Sequence, residues 1–96
     1  MRWVVTPLAE QDMEEIGDYI SRENPRRAIA FVSELRTQCR KIASSPQIYR
    51  FRKELGDNIQ SCVYGNYVIF FQHVGQVVRI VRILHGARDI ETQFAS

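Results

Sequence analysis

The side chains best suited to proton transfer stand near the C-terminal end of the chain. His85 follows an apolar run and is flanked by Arg82 and Arg88. An imidazole exchanges protons near neutral pH, and the neighbouring guanidinium groups would attract an anion. No second acid–base group stands beside them in a catalytic pattern, so His85 could equally hydrogen-bond the backbone where a strand ends. The sequence therefore predicts no catalytic residue, although this end of the chain remains a candidate binding site.

Other basic side chains could extend this candidate site. They are Arg79 in the same apolar run and Arg50, Arg52 and Lys53 in a polar connection. These residues form either a basic rim or a set of scattered surface charges, and the sequence leaves both open. The net charge is only +2. Acids nevertheless concentrate in residues 7–23 and bases in residues 25–53, which indicates either complementary helices or a surface for an acidic partner or nucleic acid.

Metal and cofactor sites are not expected. Cys39 and Cys62 are far apart and lie in apolar patterns, so we predict two reduced thiols in the core. Together with His73 and His85 they do not have the spacing of a zinc site. The glycines are isolated turn residues and do not form a phosphate-binding loop.

The chain also shows no feature of a membrane or secreted protein. No apolar run approaches the roughly 20 residues that a membrane-spanning helix needs. The N-terminal residues lack the apolar segment of a signal peptide. We therefore predict a cytoplasmic location and no membrane partner.

Two helices and a preceding strand are expected in the first half of the chain. Arg2–Val5 is typical of a short strand. Thr6 before Pro7 and Asn24 before Pro25 each pair a capping side chain with a proline at the first helical position. Apolar residues then recur every three or four positions, which predicts two amphipathic helices packed as an antiparallel αα-hairpin.

Three antiparallel strands are expected in the second half. They cover residues 59–64, 67–72 and 77–84, and Gly65-Asn66 forms a two-residue type II′ turn between the first two. The order β-α-α-β-β-β predicts an α+β fold in which an αα-hairpin packs on a mostly antiparallel sheet, as a single domain over residues 1–96. Both faces of this sheet carry apolar residues, but one hairpin covers only one face. The second face is either an exposed binding patch or is covered by the connection and the tail.

Two segments give the chain a resemblance to a known family. They are Gly65-Asn66-Tyr67-Val68-Ile69-Phe70-Phe71 and Arg82-Ile83-Leu84-His85-Gly86-Ala87-Arg88-Asp89. With a looser pattern in the first helix, they make nearly the whole chain resemble the ParE toxins of the RelE/ParE superfamily. The resemblance implies the toxin of a type II toxin–antitoxin system, a kind of system used in plasmid stabilisation. Such a toxin inhibits DNA gyrase by binding it, and a ParD-like antitoxin neutralises the toxin and itself contacts operator DNA.

The resemblance also implies two sets of contact residues. For the antitoxin they lie on the apolar faces of the helical hairpin: Met13, Ile16, Tyr19, Phe31 and Leu35. For the target they lie at the basic end of the sheet and the tail: Arg79, Arg82, His85, Arg88 and Asp89. Neither set implies a catalytic residue, a metal or a cofactor.

Two other functions remain open within the superfamily. RelE-like enzymes cleave mRNA on the ribosome with basic residues on the first hairpin strand, where this chain has Gln60 and Ser61. Val68 stands where those enzymes have an arginine, and Phe94 near their C-terminal tyrosine lacks a hydroxyl, although Arg88 remains. In-line attack by a 2′-hydroxyl needs a base, a proton donor and charge stabilisation, and too few such groups are left. The other alternative is a non-toxic module that helps its antitoxin repress transcription.

The chain also departs from the usual ParE pattern at two positions. Gln60 stands where many relatives have arginine, and Phe71 stands where many have tyrosine. These differences leave the potency and the target of the toxin open.

Overall fold

A computed structural model of the chain describes residues 1–95, and Ser96 lies outside the described residues. The strands are β1 (Arg2–Val5), β2 (Arg50–Phe51), β3 (Gln60–Tyr64), β4 (Tyr67–Val74) and β5 (Val77–His85). The helices are α1 (Pro7–Ser21), α2 (Pro25–Ser44) and α3 (Ile90–Ala95), with one turn of 3₁₀ helix at Pro46–Ile48. The predicted order of strand, two helices and three strands is confirmed, with β2 and α3 in addition. That the chain forms a single domain over residues 1–96 stays a prediction.

Both long helices begin with the predicted capping residues. The hydroxyl of Thr6 accepts a hydrogen bond from the N–H of Ala9 at 3.2 Å. The side-chain oxygen of Asn24 accepts one from the N–H of Arg27 at 3.0 Å. Each bond satisfies an N–H that the first helical turn leaves without a partner, which explains why the helices begin at these residues.

The described strands form one sheet in the order β1-β5-β4-β3-β2. β3, β4 and β5 are antiparallel neighbours, and Tyr64 lies opposite Tyr67 across the predicted two-residue turn. Gly65 in this turn has a φ of +57°, as a type II′ turn requires at its first central residue. β1 pairs with β5 in parallel. The α+β fold with a mostly antiparallel sheet is therefore confirmed, while the parallel pairing of β1 was not predicted.

The main core lies between the αα-hairpin and one face of the sheet. The hairpin contributes the buried side chains of Met13 and Leu35, and the sheet contributes Ile69, Phe71 and Ile80. Packing these apolar side chains together removes them from water, which is the main force holding the helices on the sheet.

The opposite face of the sheet is covered by the chain itself. Val68, Phe70 and Leu84 are buried there. Leu55 from the connection, and Ile90 and Phe94 from α3, pack against them. Of the two alternatives that the sequence left open, the structure thus confirms coverage by the connection and the tail, and an extended apolar patch on this face is wrong.

Candidate functional site

A groove of about 330 Å³ lies between α1 and the C-terminal half of β5. We call it the α1–β5 groove. Its lining residues are Asp12, Glu15, Ile16 and Tyr19 from α1, Arg82, Ile83, Leu84 and His85 from β5, and Tyr67, Arg88 and Gln93. The groove therefore brings together charged, aromatic and hydrogen-bonding side chains from both ends of the sequence.

The groove exists because β1 is shorter than β5. β1 pairs with β5 only as far as Ile80, whereas β5 continues to His85. At this point Thr6 ends the pairing, because its N–H donates to the carbonyl of Ile80 at 3.0 Å and its hydroxyl donates to the carbonyl of Val81 at 3.1 Å. α1 begins at the next residue. Beyond Ile80, β5 therefore has a helix on this side where a strand would otherwise continue the sheet.

An ion pair with little solvent exposure forms one end of the groove. The guanidinium of Arg82 donates from Nε to Asp12 Oδ2 at 2.8 Å and from Nη2 to Asp12 Oδ1 at 3.0 Å. Its Nη1 donates to the carbonyl of Gln93 at 3.0 Å, and the N–H of Ile83 donates to Asp12 Oδ2 at 2.9 Å. The two side chains are 13% and 7% exposed, and hydrogen bonding to Asp12 raises the pKa of Arg82. Arg82 was predicted as a target contact, but its guanidinium is held inside the protein, where it joins α1, β5 and α3.

His85 lies at the other end of the groove beside two tyrosines. Its ring meets the ring of Tyr67 edge-on, with the centroids 5.2 Å apart. Its Nδ1 accepts the N–H of Ala87 at 3.1 Å, so the neutral ring carries its proton on Nε2. Burial raises the pKa of Tyr67, and Tyr19 and Arg88 lie close enough to affect it. This end of the groove thus offers hydroxyl and imidazole groups as hydrogen-bond partners.

The remaining predicted target contacts do not all meet in the groove. Arg88 is exposed and lines the groove. Arg79 is also exposed but lies outside the groove. Asp89 accepts hydrogen bonds from the hydroxyl of Thr92 at 2.7 Å and from its N–H at 3.4 Å, which lowers the pKa of Asp89. Asp89 therefore acts as the N-terminal cap of α3. Of this set, His85 and Arg88 line the groove together, and among the described residues neither the His85 Nε2 nor the Arg88 guanidinium has a hydrogen-bond partner.

Most of the predicted antitoxin contacts are buried in the main core. Met13, Ile16, Phe31 and Leu35 are 7% exposed or less, because they face the sheet. These four side chains are therefore buried in this structure, and their role as antitoxin contacts stays a prediction. Tyr19 is 65% exposed and lines the α1–β5 groove.

Asp12 is the site residue that sequence reasoning missed. It stands three residues after Ala9 and four before Ile16, which places it on the apolar stripe of α1. An acid on such a stripe indicates a buried charge that needs a partner, because an unpaired charge is too costly to bury. That signal was present in the sequence, but it could not identify Arg82 as the partner.

No group of three or more histidine, cysteine, aspartate or glutamate side chains able to hold a metal ion occurs within residues 1–95. Cys39 and Cys62 are free and buried, as predicted, and burial raises the pKa of Cys39 to about 12. Among the helices that the structure describes, none has the length and apolar character to span a membrane.

Comparison with known proteins identifies relatives of this chain. The family model described as the ParE toxin of the type II toxin–antitoxin system parDE matches residues 4–90. A chain of the chromosomal ParDE toxin–antitoxin system from P. aeruginosa is 19% identical, with a TM-score of 0.74 over 88% of this chain and 95% of that one. A chain of the RelBE2 toxin–antitoxin complex from Mycobacterium tuberculosis is 20% identical, with a TM-score of 0.61 over the same shares. At these identities the two structures show a shared fold. A search of curated proteins found no match.

Proposed function

The chain belongs to the ParE toxin family of type II toxin–antitoxin systems, and from this membership we propose that it inhibits DNA gyrase by binding it and that a ParD-like antitoxin neutralises it. The observation that carries the proposal is the family match, which extends from β1 to the start of α3. Because gyrase and its DNA are cytoplasmic, the proposal places the action of the toxin in the cytoplasm. Contact with operator DNA would occur only through the antitoxin.

The charges of the α1–β5 groove favour binding over catalysis. A ribonuclease has to stabilise the negative charge that develops on a phosphodiester. Here Asp12 occupies two nitrogens of Arg82, and the carboxylate of Glu15 lines the same groove. Glu15 would repel a phosphate, so the groove suits a protein surface better than a nucleic acid backbone.

The exposed side chains suggest where each partner would bind. We assign the gyrase contact to His85 and Arg88 in the groove and to Arg79 on β5, the strand that ends at His85. We assign the antitoxin contact to the outer side of the helical hairpin, where Tyr19 is 65% and Ile29 is 75% exposed. These two side chains are exposed in the isolated chain, whereas the four other residues predicted from the sequence are buried in it.

A supercoiling assay with purified gyrase and antitoxin-free toxin tests the proposal. Inhibition is expected, and adding the antitoxin should restore supercoiling. Arg88→Glu should weaken inhibition about tenfold, because it reverses a charge at the contact. Lys53→Glu makes the same change of charge on the connection beside β2, at the other edge of the sheet, and should leave inhibition unchanged. Normal supercoiling at saturating toxin would rule out gyrase as the target.

One observation supports ribonuclease activity as a second candidate. His85, Tyr67 and Arg88 meet in one groove, and these residue types can transfer protons and bind phosphate. Primer-extension mapping of transcripts after induction would show cuts at defined codon positions if the toxin were a ribonuclease. Under the gyrase proposal no such cuts appear. Normal growth without the antitoxin would instead indicate a non-toxic partner in transcriptional repression.

A further inference from the structure

β1 forms one edge of the sheet, and its outer side is open. Among the described strands its one neighbour is β5. Thr6, just after β1, donates its N–H to the carbonyl of Ile80 on β5 at 3.0 Å. Because alternate residues of a strand bond to the same neighbour, Val4 also bonds toward β5. Trp3 and Val5 therefore direct their N–H and C=O groups away from the sheet, and these four groups have no hydrogen-bond partner among the described residues.

The side chains of β1 do little to keep this edge from pairing with another strand. Exposed strand edges are usually protected by charged side chains, by proline or by a bulge. β1 has Trp3, Val4 and Val5 in succession, its one charge is Arg2 at the first position, and it pairs with β5 without a shift in register. Aromatic and β-branched residues favour strand pairing. The outer side of β1 is therefore suited to receive another strand.

The strand that fits this edge is β1 of a second copy of the chain. A two-fold axis perpendicular to the sheet makes the two β1 strands antiparallel, and each copy then offers the same groups to the other. With Val4 on the axis, Trp3 of each copy lies opposite Val5 of the other. Both residues then use their outward N–H and C=O groups, which gives four hydrogen bonds. We propose that two copies of this chain associate through β1 in this register and form one continuous sheet.

The side chains of β1 complement one another in the same register. Trp3 and Val5 both pack on the main core, so they lie on the same face of the sheet. Each Trp3 ring therefore meets a Val5 side chain of the other copy, and such aromatic and β-branched pairs stabilise neighbouring strands. Placing Trp3 opposite Trp3, or Val5 opposite Val5, would match only one pair of outward residues within β1 and give two hydrogen bonds.

Exposed apolar side chains at the two ends of β1 add to the contact. Met1 precedes the strand and is 54% exposed, and Leu8 in the first turn of α1 is 49% exposed. In the proposed register, Met1 of each copy lies opposite Pro7 of the other, next to Leu8. The two-fold axis repeats this contact, so association removes apolar surface from water at both ends of the paired strands.

The dimer should be weak, because β1 has only four residues. A contact between two such strands is smaller than the roughly 1,600 Å² of a standard stable interface. We expect a dissociation constant on the order of 10–100 μM. The association requires neither gyrase nor an antitoxin, so its test is independent of the proposed function and uses the toxin alone.

Cross-linking through a new cysteine tests the register. Val4→Cys places two thiols opposite each other at a non-bonded pair, where Cα atoms are about 4.5 Å apart and a disulfide can form. Mild oxidation at about 100 μM protein should link most of this variant into dimers on a non-reducing gel. Val63→Cys is the control, because Val63 is 71% exposed but lies on β3 at the other side of the sheet, and it should link at least about tenfold more slowly. Cys39 and Cys62 should not compete, because burial raises the pKa of both thiols. Equal linking of the two variants would overturn the proposal.

Sedimentation equilibrium tests the association without a cross-link. The unmodified chain should show a reversible monomer–dimer equilibrium. Val4→Lys should raise its dissociation constant at least about tenfold, because it sets two like charges directly opposite each other. Val63→Lys makes the same change on β3 and should alter the constant less than about twofold. Circular dichroism checks that both variants are folded. A chain that stays monomeric at about 500 μM, or a dimer that both lysine variants weaken equally, would overturn the proposal.

Discussion

At the scale of single residues, Asp12 has the largest structural role around the groove. Its carboxylate accepts hydrogen bonds from Arg82 and from the backbone of Ile83. It therefore neutralises a guanidinium that is mostly buried, and it satisfies an N–H at the strand edge. It also limits what can bind in the groove, because it occupies two nitrogens of Arg82 that a phosphate would need.

Replacing Asp12 tests this role. Asp12→Ala should lower the free energy of unfolding by about 3–5 kcal/mol, because it leaves the buried guanidinium of Arg82 without its counterion. Urea denaturation followed by circular dichroism measures the loss. The control is Glu10→Ala, which breaks the exposed pair of Glu10 and Arg36 at 3.1 Å and should cost less than about 1 kcal/mol. Equal losses in the two variants would contradict a buried structural pair.

At the scale of secondary-structure elements, Thr6 determines where β1 ends and α1 begins. Its hydroxyl accepts from Ala9 in the first turn of α1 and donates to Val81 on β5. One side chain thus caps a helix and attaches it to the sheet beside the groove. The position of α1, and with it the width of the groove, depends on these two bonds.

The role of Thr6 predicts a difference between two substitutions. Thr6→Val keeps the shape of the side chain but removes both hydrogen bonds, and should lower the free energy of unfolding by about 2 kcal/mol. Thr6→Ser keeps the hydroxyl and should cost less than about 0.5 kcal/mol. Thermal and urea unfolding measure both effects. A serine variant as unstable as the valine variant would show that the methyl group, and not the hydroxyl, matters.

At the scale of the whole molecule, both faces of the sheet are covered by elements of the same chain. α1 and α2 cover one face, and the connection and α3 cover the other. The surface that the described residues leave for partners includes separate exposed side chains and the α1–β5 groove. We therefore propose that recognition by this protein depends on hydrogen bonds and charges at a defined groove more than on a broad apolar surface.

The cover that α3 provides can be removed by one substitution. The ring of Phe94 packs edge-on against Phe70, with the centroids 5.4 Å apart. Phe94→Ala should lower the free energy of unfolding by about 2 kcal/mol and increase the binding of the apolar dye ANS, because it uncovers Phe70. The exposed neighbour Glu91→Ala is the control and should change neither quantity. Strong dye binding by the unmodified protein would contradict the closed second face.

Local signals in the sequence were sufficient for α1, α2 and the strands β1, β3, β4 and β5 in their order, but not for β2 and α3. Each of the two long helices begins with a capping residue followed by proline, at Thr6 and at Asn24. This signal is local, because the cap bonds to the N–H only three positions later. Gly65 permits the tight turn that places Tyr64 opposite Tyr67, and this sets the register of β3 and β4. These interactions act over a few residues, so a linear pattern contains the information that they need.

The site itself was decided by tertiary contacts. The bonds from Arg82 and Ile83 to Asp12 join residues 70 and 71 positions apart, and the bond from Thr6 to Val81 spans 75. No local pattern shows that β1 stops beside Ile80 or that Asp12 binds Arg82, because both depend on packing between the two ends of the chain. The sequence by itself determined the two long helices, the strands β1, β3, β4 and β5, and the family resemblance. Only the tertiary structure decided that Arg82 is held against Asp12 and that the α1–β5 groove forms beside this pair.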